Sequence, residues 1–229
     1  MELHTSLPED HTRFMPEIGV SPQAWFDKAV SFCREYYKHE IDRASSVEWE
    51  KIDPDTFFKE YIWVVHATGF SAKAVTKFIE KLHAAYGSYG ILSQDKEFQR
   101  LPEILKICNN ISKAKAVRKT ACLINEGILL EGWDSWKRSR LDNVDKLDDL
   151  PFIGPITKYH LGRNIGMLDC IKPDLHLVRL ADYWKFSDAI DMIKSMNQNH
   201  DYQLGIADMI AWYYASTFGT AFAKKEGSR

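Results

Sequence analysis

Between Leu147 and Ala181 the chain reads LDDLPFIGPITKYHLGRNIGMLDCIKPDLHLVRLA, and most of the residues that could do chemistry lie in or around this stretch. In its front half an apolar run meets a Gly-Pro turn, with Pro155 at a first helical position. A helix starting there leaves backbone N–H groups, from Gly154 onward, pointing out of a turn without bulky side chains, which suits one phosphate. In the back half, Ile171-Lys172-Pro173 makes an extended approach that delivers Asp174 to the mouth of another amphipathic helix. A carboxylate at such a place can stabilise positive charge developing on a sugar and orient water. Asp is also among the best N-caps, and the two uses are compatible. Three further positions extend this chemistry. Lys158, the only Lys in the helix after the turn, offers an amine for a Schiff base with a sugar, against the plainer reading of a solvated Lys. Asp208 and Trp212 stand four apart on the last helix and share one face, where a carboxylate can accept from a guanine-type base edge while the ring stacks on it. The alternative is a buried Trp beside a solvated Asp. His160, one turn into the helix after the Gly-Pro turn, is a candidate second wall, or else an ordinary partly buried His.

A hairpin, a Gly/Pro-rich loop and an Asp in this order resemble the helix-hairpin-helix (HhH-GPD) DNA glycosylases, over about Phe57 to Tyr214. The resemblance implies an all-α fold of two helical lobes flanking a cleft. It makes Gly154, Pro155, Ile156 and Thr157 the hairpin that grips the backbone of the lesion strand, and Asp174 the group acting at the sugar of an extruded nucleotide. By position, the loop His66 to Ser71 would insert a residue into the base stack, with Gly69 shaping the turn and Phe70 as the wedge; the alternative is a core Phe at a helix start. Asp208 and Trp212 are similar to the pair used by the archaeal 8-oxoguanine branch. The implied partner is double-stranded DNA carrying a damaged or modified base, bound by a monomer. No cofactor is required and no metal is expected, apart from a monovalent cation (Na or K) held by the hairpin backbone. Two departures stand out. The family has a Gly where this chain has Phe152, so that turn must be made differently or grip less closely. Members that also cut the strand carry a Lys where this chain has Ile156, and Lys158 is displaced from it by two residues, roughly 200° around a helix. Base hydrolysis without efficient strand cleavage is therefore expected. Two rivals are a non-catalytic hairpin module that only binds DNA and a phage-type transferase that modifies the extruded base.

The elements that must position these residues follow from the rest of the chain. At 229 residues and 45% hydrophobic there is material for one sizeable domain or two small lobes. Apolar spacing predicts helices from Pro22, from Pro54 to Thr68, over Ala72–Tyr86, Leu101–Cys108, Lys113–Glu126, from Pro155, over Leu175–Trp184, Ser187–Met196 and from Tyr202 to about Phe222. No strand alternation is visible. One glycosylase-like domain is expected: residues 57–146 form mainly one lobe, 147–181 carry the hairpin and catalytic loop, and 1–56 with 182–229 make the second lobe. The first twenty residues read as an arm. A net charge of −2 argues against a nucleic-acid binder, although Ser112 to Arg140 carries Lys113, Lys115, Arg118, Lys119, Lys137, Arg138 and Arg140. Four scattered Cys show no metal spacing and imply reduced thiols in a cytoplasmic, nucleoid-associated setting, or a nuclear one in a eukaryote. No apolar run is long enough for a bilayer, and the start lacks a secretory pattern.

Overall fold

Caps set most of the helix boundaries. Asp53 Oδ1 accepts from the N–H groups of Asp55 and Thr56 at 2.9 Å each, with Pro54 already holding the helical φ, so the helix Pro54–Ala67 starts where the sequence says it should. Ser21 does the same before Pro22–Tyr36 and Asn110 before Ile111–Glu131. The computed structural model describes residues 19–70 and 72–218, and among these it is all-α. In chain order the helices are α1 (Pro22–Tyr36), α2 (Lys38–Ser45), α3 (Pro54–Ala67), α4 (Ala72–Thr76), α5 (Ile79–Tyr86), α6 (Tyr89–Gln94), α7 (Leu101–Ile107) and α8 (Ile111–Glu131). They continue as α9 (Trp133–Leu141), α10 (Thr157–Asn164), α11 (Leu175–Trp184), α12 (Ala189–Asn197) and α13 (Leu204–Phe218), with tighter 3-10 turns at Trp49–Lys51 and Val144–Asp149. The expected arm and the expected end of the last helix near Phe222 lie outside the described residues.

Several expectations need correction. Ala72–Tyr86 is two helices, because Phe78 N–H bonds to Val75 O, three residues back, and the α ladder is interrupted. A further helix that the apolar spacing did not predict, α6, follows, with Gly90 in its first turn and Ser88 capping it through Ile91 N–H. The helix expected from Pro155 begins at Thr157, after a turn closed by Thr157 on Gly154.

The chain divides into two units, Val47–Met167 and Met1–Ser46 with Leu168–Arg229. Residues 151–157, expected as the hairpin, fall in the first of these with α3 to α9, and Asp174 falls in the second with the terminal helices. Packing explains where residues 151–157 fall. Ile153, Leu161 and Ile165 are buried, α10 packs on α3, and the Tyr61 hydroxyl of α3 donates to Pro151 O. In this unit α8 is the central helix, with α3, α6, α7 and α9 against it. Its closest approach is at Gly127, where a Cβ would stand 2.0 Å from Trp136 Cδ1, so only Gly lets α9 pack there. The other unit packs α1, α11, α12 and α13 around Phe26, Leu177, Met192 and Ile210, and Leu168 and Ile171 anchor the approach to Asp174 in the same core.

Charge is partitioned unevenly: Val47–Met167 holds eighteen Lys and Arg against sixteen acids, so the excess of acid lies in the other unit. Much of the basic stretch from Ser112 to Arg140 is nonetheless structural. Lys113 and Lys137 are buried, and Arg118 spends its guanidinium on the carbonyls of Asp95 and Lys96. Lys137 Nζ donates to the carbonyls of Trp49, Glu50 and Ile52. Lys115, Lys119, Arg138 and Arg140 remain exposed.

Candidate functional site

The turn ahead of α10, expected as the hairpin, is built on one unusual residue. Phe152, where the resembled family has Gly, adopts φ +67°, the left-handed conformation that Gly takes freely and a bulky residue avoids. The turn is thus made with the backbone shape expected of Gly, but with an aromatic side chain that stays 40% exposed. Two residues on, Gly154 has an ordinary negative φ. Its N–H donates to Thr157 Oγ1 at 2.7 Å, which corrects the expectation of a phosphate grip beginning at Gly154. The Gly154 carbonyl accepts from Lys158 N–H at 3.0 Å and from the Thr157 hydroxyl at 3.2 Å, so both its lone pairs are in use and a hairpin-held cation would need other carbonyls. Pro155 has no N–H. The N–H groups of Ile156 and Thr157 are left without an acceptor among the described residues, at the positive end of α10. Ile156 itself is exposed.

Lys158 does not point out with them. Its ammonium lies 2.7 Å from Asp145 and 3.1 Å from Asp148, and its side chain is only 12% exposed. The hydrogen bonds to Asp145 and then Asp148 hold its proton more tightly than in an ordinary Lys. A Schiff base needs the neutral amine, so this pairing speaks against Lys158 as a nucleophile, and it is not a solvated Lys either. The acidic lead-in Val144–Asp149 is what holds it. His160 follows half-buried on α10.

The expected wedge loop lies in the same unit. Gly69 has φ +82° with nothing near a built Cβ, and Phe70 follows at 49% exposure, with its ring edge-on to Phe78 at 5.9 Å. Phe70 is therefore not a core residue. What holds this loop comes from a distant part of the chain. Lys113 of α8, 3% exposed, donates from Nζ to His66 O at 3.1 Å and Thr68 O at 2.6 Å, satisfying carbonyls at the C-terminal end of α3. Its ammonium also lies 4.9 Å from the Phe70 ring centroid and 5.8 Å from that of Phe152. No carboxylate pairs with it among the described residues, and burial lowers its proton affinity. Beneath the loop, His66 Nε2 and Tyr86 Oη are 2.9 Å apart. Burial, then Lys113 and His83, depress the His66 pKa to about 4, so this His is neutral at ordinary pH.

In the other unit, Asp174 is the N-cap of α11. Its Oδ1 accepts from His176 N–H at 2.9 Å and Leu177 N–H at 3.2 Å. The second oxygen is not used by the helix; Lys172 Nζ stands 3.8 Å from it, and the side chain is 14% exposed. Capping therefore occupies one oxygen of this residue and leaves the other outside the helix. Asp208, on α13, is 2% exposed, and its Oδ2 accepts from Lys172 N–H at 3.2 Å. It is not the solvated Asp of the plainer reading. Its evident use is to fix the backbone that presents Asp174. Trp212, four residues on, is half-buried with its ring edge-on to Tyr213 at 5.2 Å, and Tyr213 is stacked on Tyr37 at 4.2 Å.

Among the described residues no group of three His, Cys, Asp or Glu is placed to hold a metal ion, no disulfide joins any of the four cysteines, and no helix is long and apolar enough to cross a membrane. Comparison with protein-family models, with curated proteins and with solved structures gave no match to this chain.

Proposed function

We propose that the chain is a DNA glycosylase of the helix-hairpin-helix type, which extrudes a damaged or modified purine, 8-oxoguanine among the candidates, and hydrolyses its glycosidic bond with Asp174. The observation that carries this reading is the division of labour within one carboxylate. Oδ1 caps α11 and fixes the side chain, while Oδ2 is left at the end of a Pro-containing approach, braced from behind by Asp208 through Lys172 N–H. Cleavage of an N-glycosidic bond passes through an oxocarbenium-like sugar. A fixed carboxylate oxygen at the anomeric carbon stabilises that charge and takes the proton of the attacking water, while the bonding pair leaves with the base. The Ile156 and Thr157 N–H groups supply the backbone grip in place of Gly154. Phe70 is the wedge. Trp212 supplies the stacking face, with Asp208 beside it on the same helix, and the partner is duplex DNA bound by a monomer. The ion-paired Lys158 supports base release without efficient strand cutting.

A panel of duplexes with single lesions tests the reading. Free base should appear from at least one of them and vanish with Asp174→Asn. No release from any duplex, or release untouched by Asp174→Asn, rejects the enzyme. Intact modified nucleosides in a mass-spectrometric digest would instead assign a base-modifying transferase, and salt-sensitive binding without product a purely DNA-binding module.

A further inference from the structure

Phe70 and Phe152 lie on different loops of one unit, and both are large aromatic side chains left exposed, at 49% and 40%. They approach a single ammonium, that of Lys113, at 4.9 and 5.8 Å, so the two ring centroids lie within about 11 Å of each other. That ammonium is buried, its hydrogen bonds go to the carbonyls of His66 and Thr68, and no carboxylate pairs with it among the described residues. One of the two rings is carried by a residue at φ +67°, a conformation that costs an L-residue about 1–2 kcal/mol. Burial of part of the ring offsets this strain by a comparable amount, and the part left exposed has no packing use in the free protein.

We propose that Phe70 and Phe152 are a pair of stacking prongs for the bases of an opened nucleic-acid strand, with the Lys113 ammonium close to both rings drawing the strand's negative charge. This rests on the DNA-binding part of the function proposed above and adds to it a second prong from the hairpin. Charge complementarity decides the occupant. A strand offers flat π faces to both rings and negative charge near an ammonium that carbonyls satisfy but no carboxylate neutralises, whereas an apolar peptide would bring it no counter-charge. The reach is compatible too, since successive bases along a strand rise about 3.4 Å and a separation of at most about 11 Å spans no more than about three steps of one strand. The side chain at Phe152 thus has a use that Gly at this position would lack.

The discriminating variant is Phe152→Gly, because Gly adopts the observed turn without strain while removing the ring. Binding is measured by fluorescence anisotropy on an intact duplex and on one with an unpaired 2-aminopurine beside the wedge position. Phe152→Gly and Phe70→Ala are each expected to weaken binding to the opened duplex by at least about fivefold, in line with the loss of one base–aromatic stack. Both should change the intact duplex less, and Phe152→Trp should restore binding and the 2-aminopurine response. Wild-type affinity for the opened duplex in folded Phe152→Gly overturns the inference and leaves the glycosylase reading standing. Loss of that affinity with no base released from any lesion keeps the inference and rejects the enzyme. A wild-type protein that binds neither duplex rejects both. Self-association of the chain that Phe152→Gly abolishes, with strand binding intact, would assign the patch to a second copy and also overturn the inference.

Discussion

The left-handed turn at Phe152 makes a stability prediction whose sign is unusual. At most loop positions replacing a side chain by Ala is milder than replacing it by Gly, because Gly loses about 0.5–1 kcal/mol more backbone entropy on folding. At φ +67° the order reverses. Both substitutions remove the partly buried ring, which at 40% exposure contributes about 1–2 kcal/mol. Ala then keeps the left-handed strain of about 1–2 kcal/mol that Gly relieves. Phe152→Ala is therefore expected to destabilise by about 1–2 kcal/mol and Phe152→Gly by less than about 1 kcal/mol, with Gly ahead of Ala by about 1 kcal/mol. In a chain of this size that difference separates the two melting temperatures by roughly 2–4 °C. Urea titrations followed by Trp fluorescence measure it at constant pH. Equal stability of the two variants, or Ala ahead of Gly, would refute the argument that the hairpin stores strain at this residue.

Other outcomes follow from the remaining geometry. Asp174→Asn keeps a cap of equal quality and should leave stability unchanged while abolishing base release, whereas Asp174→Ala should cost about 1 kcal/mol in thermal or urea unfolding. Gly154→Ala should fold as the wild type does, since the nearest atom to a built Cβ is Thr157 Oγ1 at 4.0 Å, but it should bind duplex more weakly in anisotropy titrations if a strand passes close to the turn. His66 takes up a proton near pH 6.5 when unfolded but only near pH 4 in the fold, so the unfolded state binds more protons between these values. Stability should fall by about 3 kcal/mol as pH drops through that window, and less in His66→Gln; identical pH profiles would dismiss the claim. Borohydride trapping on abasic DNA should give no adduct at Lys158, because Asp145 and Asp148 keep its amine protonated; a trapped peptide containing Lys158 would show that DNA breaks these pairs.

The residues that cap, break and pattern helices fixed the fold class before any coordinates. Asp53-Pro54, Ser21-Pro22 and Asp174 each carry their own start signal, and a start signal acts through hydrogen bonds to the next two or three residues. That locality is why α1, α3 and α11 were legible, and why Asp174 was readable as a cap. Three things depended on contacts between distant residues. The side chain that ties Thr68 and His66 to α8 comes from Lys113, more than forty positions away, and nothing local distinguishes it from the exposed Lys115. Asp208 looked like a solvated or base-reading carboxylate, yet the fold buries it against Lys172 N–H, a bond set by packing α13 beside the approach to Asp174. Lys158 could be assigned to the amine of a lyase or to solvent, and only the return of Val144–Asp149 across it placed two carboxylates within reach. Sequence by itself determined where helices begin and which residues have reactive groups; tertiary structure decided which of those groups are spent on holding the chain, because a buried charge or carbonyl must find a partner wherever the fold brings one.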